Sequence, residues 1–328
     1  MAKKWIDAHG HFATSGKSSM GRAPGLSANA RPWTFAPETS IDYMDKTEVA
    51  AQIISNCNQM AGVDAIRASN DYGASLVAKY STRFGFLAQL PMEDPASAVT
   101  EIRRGIDELG AEGCAILTNY GGVYLGDPRF EPVWAELDRM EATLFIHPTT
   151  RGFENTRLGR TSALIESPVD TARTVVDMMY AGVFRRHQRF NVILAHGGGA
   201  LPSLADRVIT VGSHPLDWVE NPHELTAPEM RETLARLYYD TGLAGTAASL
   251  DPILDVTTPD HVVYGADFGA PCTHLSVCDY HLAATRGYQR LTPAQREAIG
   301  TNVLKLYPRF AKRIGITADQ SPVSVAAE

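Results

Sequence analysis

The sequence predicts a (β/α)8 barrel of the TIM type with long loop insertions after some strands, and two observations support that prediction. Short apolar segments alternate with helical segments along the chain, and eight such units fit into about 300 of its 328 residues. The apolar segments also lack strict apolar and polar alternation, which is typical of parallel strands covered by helices. A doubly wound open sheet is the alternative, but the first strand is not followed by the Gly-x-Gly-x-x-Gly turn of that class.

The predicted strands are short runs rich in apolar and β-branched residues, bounded by turn-forming residues. They cover residues 6–12, 49–55, 84–91, 113–119, 143–148, 191–196, 237–241 and 261–267. Between them, apolar residues spaced by three and four predict helices, and Asp94-Pro95 is expected to open one because proline fits the first helical turn. We predict long loops over 13–39 and 149–167, one domain over 1–316, and a flexible tail over 317–328.

Composition and charge exclude several classes of partner. The net charge is −7 with a pI near 5.8, and no basic run follows a phosphate backbone, so nucleic acid is not an expected partner. No apolar run approaches the roughly 20 residues that span a bilayer, and no signal-peptide segment precedes the first strand, so we expect a cytoplasmic protein without membrane contact. The four cysteines are scattered, which argues against a disulfide framework and a thiolate zinc site.

The first predicted strand ends in a His-x-His pair. Because strand side chains alternate between faces, Asp7, His9 and His11 are expected on one side and Ile6 and Ala8 on the other. Neutral imidazole is the commonest metal ligand in proteins, so two imidazoles that converge at a strand end indicate a metal site. A hydrogen-bonded histidine pair inside the sheet is the alternative interpretation.

Three more polar residues end other predicted strands: His147 ends the fifth, His196 the sixth and Asp267 the eighth. In a barrel of this type, catalytic groups lie at the carboxyl ends of the strands. Three histidines and one carboxylate suit one zinc ion, with manganese as the alternative metal, and leave an open position for water or substrate. A fifth group then remains for proton transfer.

Several sequence blocks carry a resemblance that covers nearly the whole chain. They are Asp7-Ala-His-Gly-His11, Arg83-Phe-Gly-Phe with Leu90-Pro91, Leu117-Thr-Asn-Tyr-Gly121 with Tyr124-Leu-Gly126, Ile146-His-Pro148, Leu194-Ala-His-Gly-Gly-Gly199, Tyr264-Gly-Ala-Asp-Phe268 and Asn302-Val-Leu-Lys-Leu-Tyr307. With them the chain resembles the amidohydrolase superfamily, in the branch that contains 2-amino-3-carboxymuconate-6-semialdehyde decarboxylase, γ-resorcylate decarboxylase and 6-methylsalicylate decarboxylase. The resemblance implies His9, His11, His147 and Asp267 as metal ligands, His196 as a catalytic histidine, and a homodimer or homotetramer.

The resemblance also implies a reaction, the non-oxidative decarboxylation of a hydroxylated aromatic acid or a related unsaturated acid. In this hypothesis the metal holds the carboxylate and an ortho hydroxyl, while Asp267 or His196 protonates the carbon that loses CO2. Cleavage of a lactone or amide by a metal-activated water is the alternative, and a non-catalytic metal-binding barrel is a third interpretation. The predicted substrate contacts are Phe12, Asn119, Tyr120 and Phe268, and the loop arginines considered for the carboxylate are Arg22, Arg31, Arg151 and Arg157.

Overall fold

The computed structural model describes residues 4–14, 35–57, 60, 62–149, 160–214, 216, 221–269 and 275–318. Within these ranges, short parallel strands alternate with helices as predicted. The strands are β1 (Trp5–His11), β2 (Val49–Ser55), β3 (Phe84–Gln89), β4 (Gly113–Leu117), β5 (Thr143–His147), β6 (Asn191–Leu194), β7 (Tyr238–Asp240), β8 (Val262–Val263) and β9 (Phe268–Gly269). A separate two-stranded antiparallel hairpin pairs Asn119–Tyr120 with Val123–Tyr124.

The nine parallel strands form one sheet in the order β8-β7-β6-β5-β4-β3-β2-β1-β9. The segment from β8 to β9 contacts both edges of this sheet. Val263 pairs with Asp240 of β7, whereas Phe268 pairs with Gly10 of β1 and Tyr264 accepts a hydrogen bond from the Ala8 N–H at 2.8 Å. The sheet therefore curls into a TIM-barrel-like α/β fold, which confirms the predicted fold class over the doubly wound alternative.

Helices follow the strands and cover the outside of the sheet. Asp94 caps the third helix by accepting the Ser97 N–H, with Pro95 in its first turn, as the sequence predicts. None of the helices in the described ranges is long and apolar enough to cross a lipid bilayer. The helices are α1 (Pro37–Thr47), α2 (Val63–Lys79), α3 (Pro95–Arg103), α4 (Glu131–Arg139), α5 (Glu166–Tyr180), α6 (Val183–Arg186), α7 (Leu201–Gly212), α8 (Ala227–Ala235), α9 (Ala247–Val256), α10 (Leu275–Arg286), α11 (Pro293–Ile299) and α12 (Pro308–Ile314).

Two apolar clusters form the core. The larger one joins the strands to the surrounding helices, for example through Phe86 and Trp134. The smaller one, the inner cluster, takes side chains from β1–β6 and β8 together with a C-terminal segment that includes Tyr307 and Phe310. Side chains from that many strands meet only in the interior of the barrel, so the inner cluster fills it and supports the site at the carboxyl ends of the strands.

One expectation for β1 is wrong, and the reason is a β-bulge. The register against β2 shifts between Asp7 and Gly10, which inserts an extra residue into β1. Ala8 belongs to the inner cluster with Phe145, and the His9 ring lies 4.8 Å from the Phe145 ring, so both residues point inward. Asp7 does not share their face, and its carboxylate accepts a hydrogen bond from Gln52 Nε2 at 2.7 Å. The simple alternation therefore fails at this position.

Glu136 joins α3 to α4 and gives a testable pH dependence of stability. Its carboxylate, only 6% exposed, accepts bonds from Arg103 Nε at 2.7 Å and Arg139 Nη2 at 2.6 Å. These bonds lower its pKa to about 2 from an ordinary value of 4.5. A depressed folded-state pKa adds stability that is complete above pH 4.5 and is lost as the pH falls toward 2. We expect E136Q to lower the free energy of unfolding by about 1–2 kcal/mol at pH 7, and by less at pH 3.5.

Urea unfolding of both proteins at pH 7 and pH 3.5 measures this difference. E108Q is the matched control, because Glu108 is an exposed glutamate at the end of the short π-helix that directly follows α3. An equal loss of stability at both pH values would show that the Glu136 charge is not responsible.

Candidate metal centre

The structure brings four of the predicted residues into one buried group. β1 supplies His9 and His11, the last residue of β5 is His147, and Asp267 lies between β8 and β9. One possible ligand atom from each lies within 4.8 Å of every other. His11 Nε2 is 3.0 Å from His9 Nε2 and 2.9 Å from Asp267 Oδ1. Ligands about 2.0–2.2 Å from a common ion are separated by distances of this order, so the group has the size of a metal site.

The three imidazoles are each held by a second contact through Nδ1. The acceptors are Asp240 Oδ2 for His9 at 2.7 Å, the Ser55 carbonyl for His11 at 3.4 Å and the Pro148 carbonyl for His147 at 2.8 Å. Contacts of this kind fix the tautomer and the ring orientation of metal-ligating histidines. All three rings consequently turn Nε2 toward the centre of the group.

His147 provides the most direct test of whether a metal fits. Its Nε2 atom is buried and has no hydrogen-bond partner within the described ranges, although its Nδ1 is bonded. Burial lowers the pKa of His147 well below its usual value, and the neighbouring His11, His196 and His9 lower it further. The ring is therefore neutral and points an unshared electron pair into the group. An unpaired buried acceptor is costly, and a cation at this position would remove that cost.

The electrostatics of the group also favour a positive charge. Burial opposes protonation of His9, but the carboxylates of Asp240 and Asp267 outweigh it and raise the His9 pKa to about 9. Burial acts to raise the pKa of Asp267. The positive charge on His9 and the hydrogen bonds from His11 and His196 outweigh burial, and they hold this pKa well below its usual value. Two carboxylates thus stabilise a cation among the imidazoles. The residues fit a divalent metal.

His196 lies beside the group rather than inside it. It follows β6 in a tight turn, with left-handed backbone angles of φ 56° and ψ 42°. Its Nε2 is 3.5 Å from Asp267 Oδ2, and its ring centroid is 5.2 Å from that of His147. The side chain is 15% exposed, compared with 0% for His9 and His11 and 4% for Asp267. Of these side chains, His196 is therefore the most open to an incoming molecule.

Three of the four predicted substrate contacts make structural interactions. Phe12 is fully buried, with its ring 6.3 Å from Phe35. The Asn119 amide donates to Asp170 at 2.9 Å and accepts the Gly122 N–H at 3.1 Å. Phe268 stacks on Tyr43 of α1 with ring centroids 4.3 Å apart. Their predicted contact with substrate remains a prediction.

Tyr120 is the predicted contact that lines an open cavity. Its hydroxyl accepts the Leu117 N–H at 3.0 Å, and its ring borders a cavity of about 110 Å³. The walls come from segments that follow β2, β3 and β4, strands that lie between β1 and β5 in the sheet. The cavity therefore lies on the arc of the rim between the strands of His11 and His147. Its apolar lining includes Met60, Val63, Ile66, Leu90 and Met92.

Asp240 is a further polar residue at a strand end that was not among the predicted site residues. The residue ends β7 after a short apolar run, as His147 ends β5, and that position is the available signal. The four loop arginines considered for the substrate carboxylate lie outside the described residues, as does most of the predicted tail. They are Arg22, Arg31, Arg151 and Arg157.

The fold is a curled parallel barrel, and the carboxyl rim of its strands carries a buried group of three histidines and one aspartate that fits a divalent metal. Residues 6–309 match the Amidohydrolase family, and the chain belongs to that family. It is 30% identical to the 6-methylsalicylic acid decarboxylase of Aspergillus aculeatus, over 94% of this chain and 97% of the relative. It is also 30% identical to the γ-resorcylate decarboxylase of Rhodococcus jostii, over 75% of this chain and 77% of that one.

Solved structures agree on the fold. The 5-carboxyvanillate decarboxylase of Novosphingobium aromaticivorans, in a mutant form with bound manganese, superposes with a TM-score of 0.78. The two chains are 20% identical, and the match covers 93% of this chain and 97% of that decarboxylase. The likeness shows the same barrel architecture.

Proposed function

We propose that this protein is a metal-dependent, non-oxidative decarboxylase of a hydroxylated, salicylate-like aromatic acid. The observation that supports it most is the buried group of His9, His11, His147 and Asp267 next to the more exposed His196. The similarity to named aromatic acid decarboxylases extends over nearly the whole chain and agrees with that assignment.

In this proposal the four buried residues hold one divalent metal. When bound, such a metal polarises carboxylate and hydroxyl oxygens and orients the ring that carries them. Three imidazoles with one carboxylate suit zinc, and manganese is the alternative because it is bound in a structurally similar decarboxylase. Elemental analysis of the purified protein measures the metal, and less than about one equivalent in a fully active preparation would contradict this part of the proposal.

His196 is the group to which we assign proton transfer. Decarboxylation breaks the bond between the ring carbon and the carboxylate, and that carbon must receive a proton as CO2 leaves. His196 is exposed enough to meet a substrate and to exchange its proton with solvent afterwards. Asp267 is enclosed by His9, His11 and His196, so its role is that of an anionic ligand and orienting partner rather than the proton donor.

The reaction is tested with purified protein that has been loaded with zinc or manganese. We expect salicylate-type acids to release CO2 and yield the corresponding phenol, measured together by gas analysis and chromatography. Boiled protein and free metal are the controls. Failure to turn over any aryl carboxylate, with cleavage of a lactone or amide instead, would favour the hydrolytic alternative.

The cavity beside Tyr120 is proposed to receive an apolar substituent of the substrate ring. Its volume of about 110 Å³ is somewhat smaller than the ~150 Å³ engineered apolar cavity that binds benzene, so it suits a short alkyl group. We expect V63F to lower kcat/KM for an alkyl-substituted hydroxybenzoate about 10-fold relative to unsubstituted salicylate, since one methylene in a pocket is worth about that much.

Steady-state kinetics with the alkyl-substituted hydroxybenzoate and with salicylate measure the ratio of the two kcat/KM values. D64F is the control, because Asp64 is the exposed neighbour of Val63 in the first turn of α2. A ratio unchanged by V63F would rule out the cavity as a substituent pocket.

The assembly state and location also remain proposals. Leu164 and Ile165 are 69% and 66% exposed next to α5, and such apolar exposure supports a homodimer or homotetramer. Light scattering on the purified protein measures the mass, and a monomer at micromolar concentration would contradict the proposal. The cytoplasmic location rests on the sequence alone.

A further inference from the structure

Asp240 connects a candidate metal ligand to the turn that carries His196. It is fully buried, and one carboxylate oxygen, Oδ2, lies 2.7 Å from His9 Nδ1. The other oxygen, Oδ1, accepts the N–H groups of His196 at 2.8 Å and Gly242 at 2.9 Å. A single side chain therefore contacts two parts of the site that lie far apart in sequence.

The barrel leaves space for the Asp240 and His9 side chains to meet. A Cβ atom at Gly242 would lie 2.9 Å from His9 Nδ1, and one at Gly265 would lie 2.9 Å from His9 Cβ. Both distances are too short for a substituted residue. Glycine at these two positions allows the Asp240 carboxylate to reach the His9 ring.

The contact between Asp240 and His9 decides which nitrogen of His9 faces the buried group of candidate ligands. This group, formed by His9, His11, His147 and Asp267, is called the metal group below. A metal ligand is a neutral imidazole, so His9 must give up one of its two ring protons when a metal binds. An ionised carboxylate only accepts hydrogen bonds, so the proton that remains lies on Nδ1. The unshared pair is then on Nε2, which is 3.0 Å from His11 Nε2 and 3.2 Å from Asp267 Oδ1. The opposite tautomer of His9 would direct its N–H into the metal group.

The second contact holds the turn after β6. His196 has a φ of 56° and Gly197 a φ of 62°, and a non-glycine residue rarely adopts such angles. The His196 N–H, and at 3.4 Å the Gly197 N–H, donate to Asp240 Oδ1. Through these bonds the same carboxylate sets where the His196 ring stands relative to Asp267.

We infer that Asp240 is a positioning residue, which fixes His9 with Nε2 toward the metal group and anchors the backbone of His196. Its effect on His196 rests on the proposed function, whereas its effect on His9 is read from metal binding alone. Partners that orient metal-ligating histidines typically contribute about 10–100-fold in affinity or activity.

The test is D240N, in which an amide replaces the carboxylate at nearly the same size. The amide oxygen can still accept the turn N–H groups, but its NH₂ then faces His9 Nδ1 and moves the neutral ring's proton to Nε2. Zinc affinity of the metal-free protein, measured by competition with a fluorescent chelator, is expected to fall about 10–100-fold. In the zinc-loaded variant, kcat is expected to fall more than KM rises.

D170N is the matched control, because Asp170 is an equally buried carboxylate whose partners are Thr118, Asn119 and Tyr124. Its zinc affinity is expected to equal that of the wild type. Equal zinc affinity of D240N and wild type would overturn the inference. If D240N does not fold, nitrogen-detected NMR spectra of the imidazoles in zinc-loaded wild type give the tautomer of His9 instead. A His9 proton found on Nε2 would overturn the inference. Wild type that binds zinc but decarboxylates nothing would overturn the proposed function alone.

Discussion

H147A is expected to lose its bound metal and at least about 10³-fold in kcat, because a metal that stabilises charge is worth several kcal/mol and 1.36 kcal/mol is tenfold. His147 Nε2 is a buried nitrogen with no protein partner in the described part of the chain, so alanine removes a candidate ligand and breaks no hydrogen bond at that atom. The variant also loses the bond from His147 Nδ1 to the Pro148 carbonyl, so without metal we expect it to be about 1 kcal/mol less stable to urea than the metal-free wild type.

Metal content, kcat and unfolding with and without added zinc check this result together. Zinc at 100 times its dissociation constant should stabilise the wild type by about 2.7 kcal/mol and leave H147A unchanged. H187A is the control, because His187 bonds Glu131 at 2.8 Å and lies outside the metal group. An H147A protein that retains a full equivalent of metal would exclude His147 from the ligand set.

H196N is expected to keep its metal but to lose about 10²–10⁴-fold in kcat, the usual contribution of a general acid. Asparagine is chosen because it tolerates left-handed backbone angles better than most residues, so the turn at φ 56° is retained. The missing imidazole can no longer deliver a proton. KM is expected to change only a few-fold, since the ligand group that orients the substrate remains intact.

The two variants separate the proposed roles, since H147A should lose metal and H196N should not. Measured side by side, metal content and kcat assign each histidine to binding or to proton transfer. Loss of metal from H196N would make His196 a ligand, and an unchanged kcat would move proton transfer to Asp267 or to water.

Most of the barrel could be predicted because each strand is a local feature. The β2 limits, Val49–Ser55, match the expectation at both ends, and β3, β4 and β5 begin where predicted. The β-bulge in β1 could not be predicted, since it arises from pairing with β2, which is distant in sequence. The bulge brings His9 inward beside Phe145 and removes Asp7 from that face. The sequence therefore located the two histidines but assigned Asp7 to the wrong side.

Two of the predicted substrate contacts have packing partners that the sequence did not reveal. Phe12 and Phe268 stand next to predicted ligands in sequence, yet their rings pack on Phe35 and Tyr43. Residues adjacent on a strand face opposite sides, so the neighbours of a side chain along the sequence do not show which rings it packs on. Tyr120, beyond the end of β4, borders the cavity because the hairpin after that strand turns it there.

The sequence by itself determined the parallel barrel and the five polar residues at strand ends, because strand periodicity and strand ends are set by local chain chemistry. The family resemblance then selected the four that the structure brings into one buried group. Only the tertiary structure decided how those residues are oriented. The bond from His9 to Asp240 spans 231 positions and that from His11 to Asp267 spans 256. Which nitrogen of each ring faces the centre depends on partners supplied by other strands, and these meet only when the sheet curls.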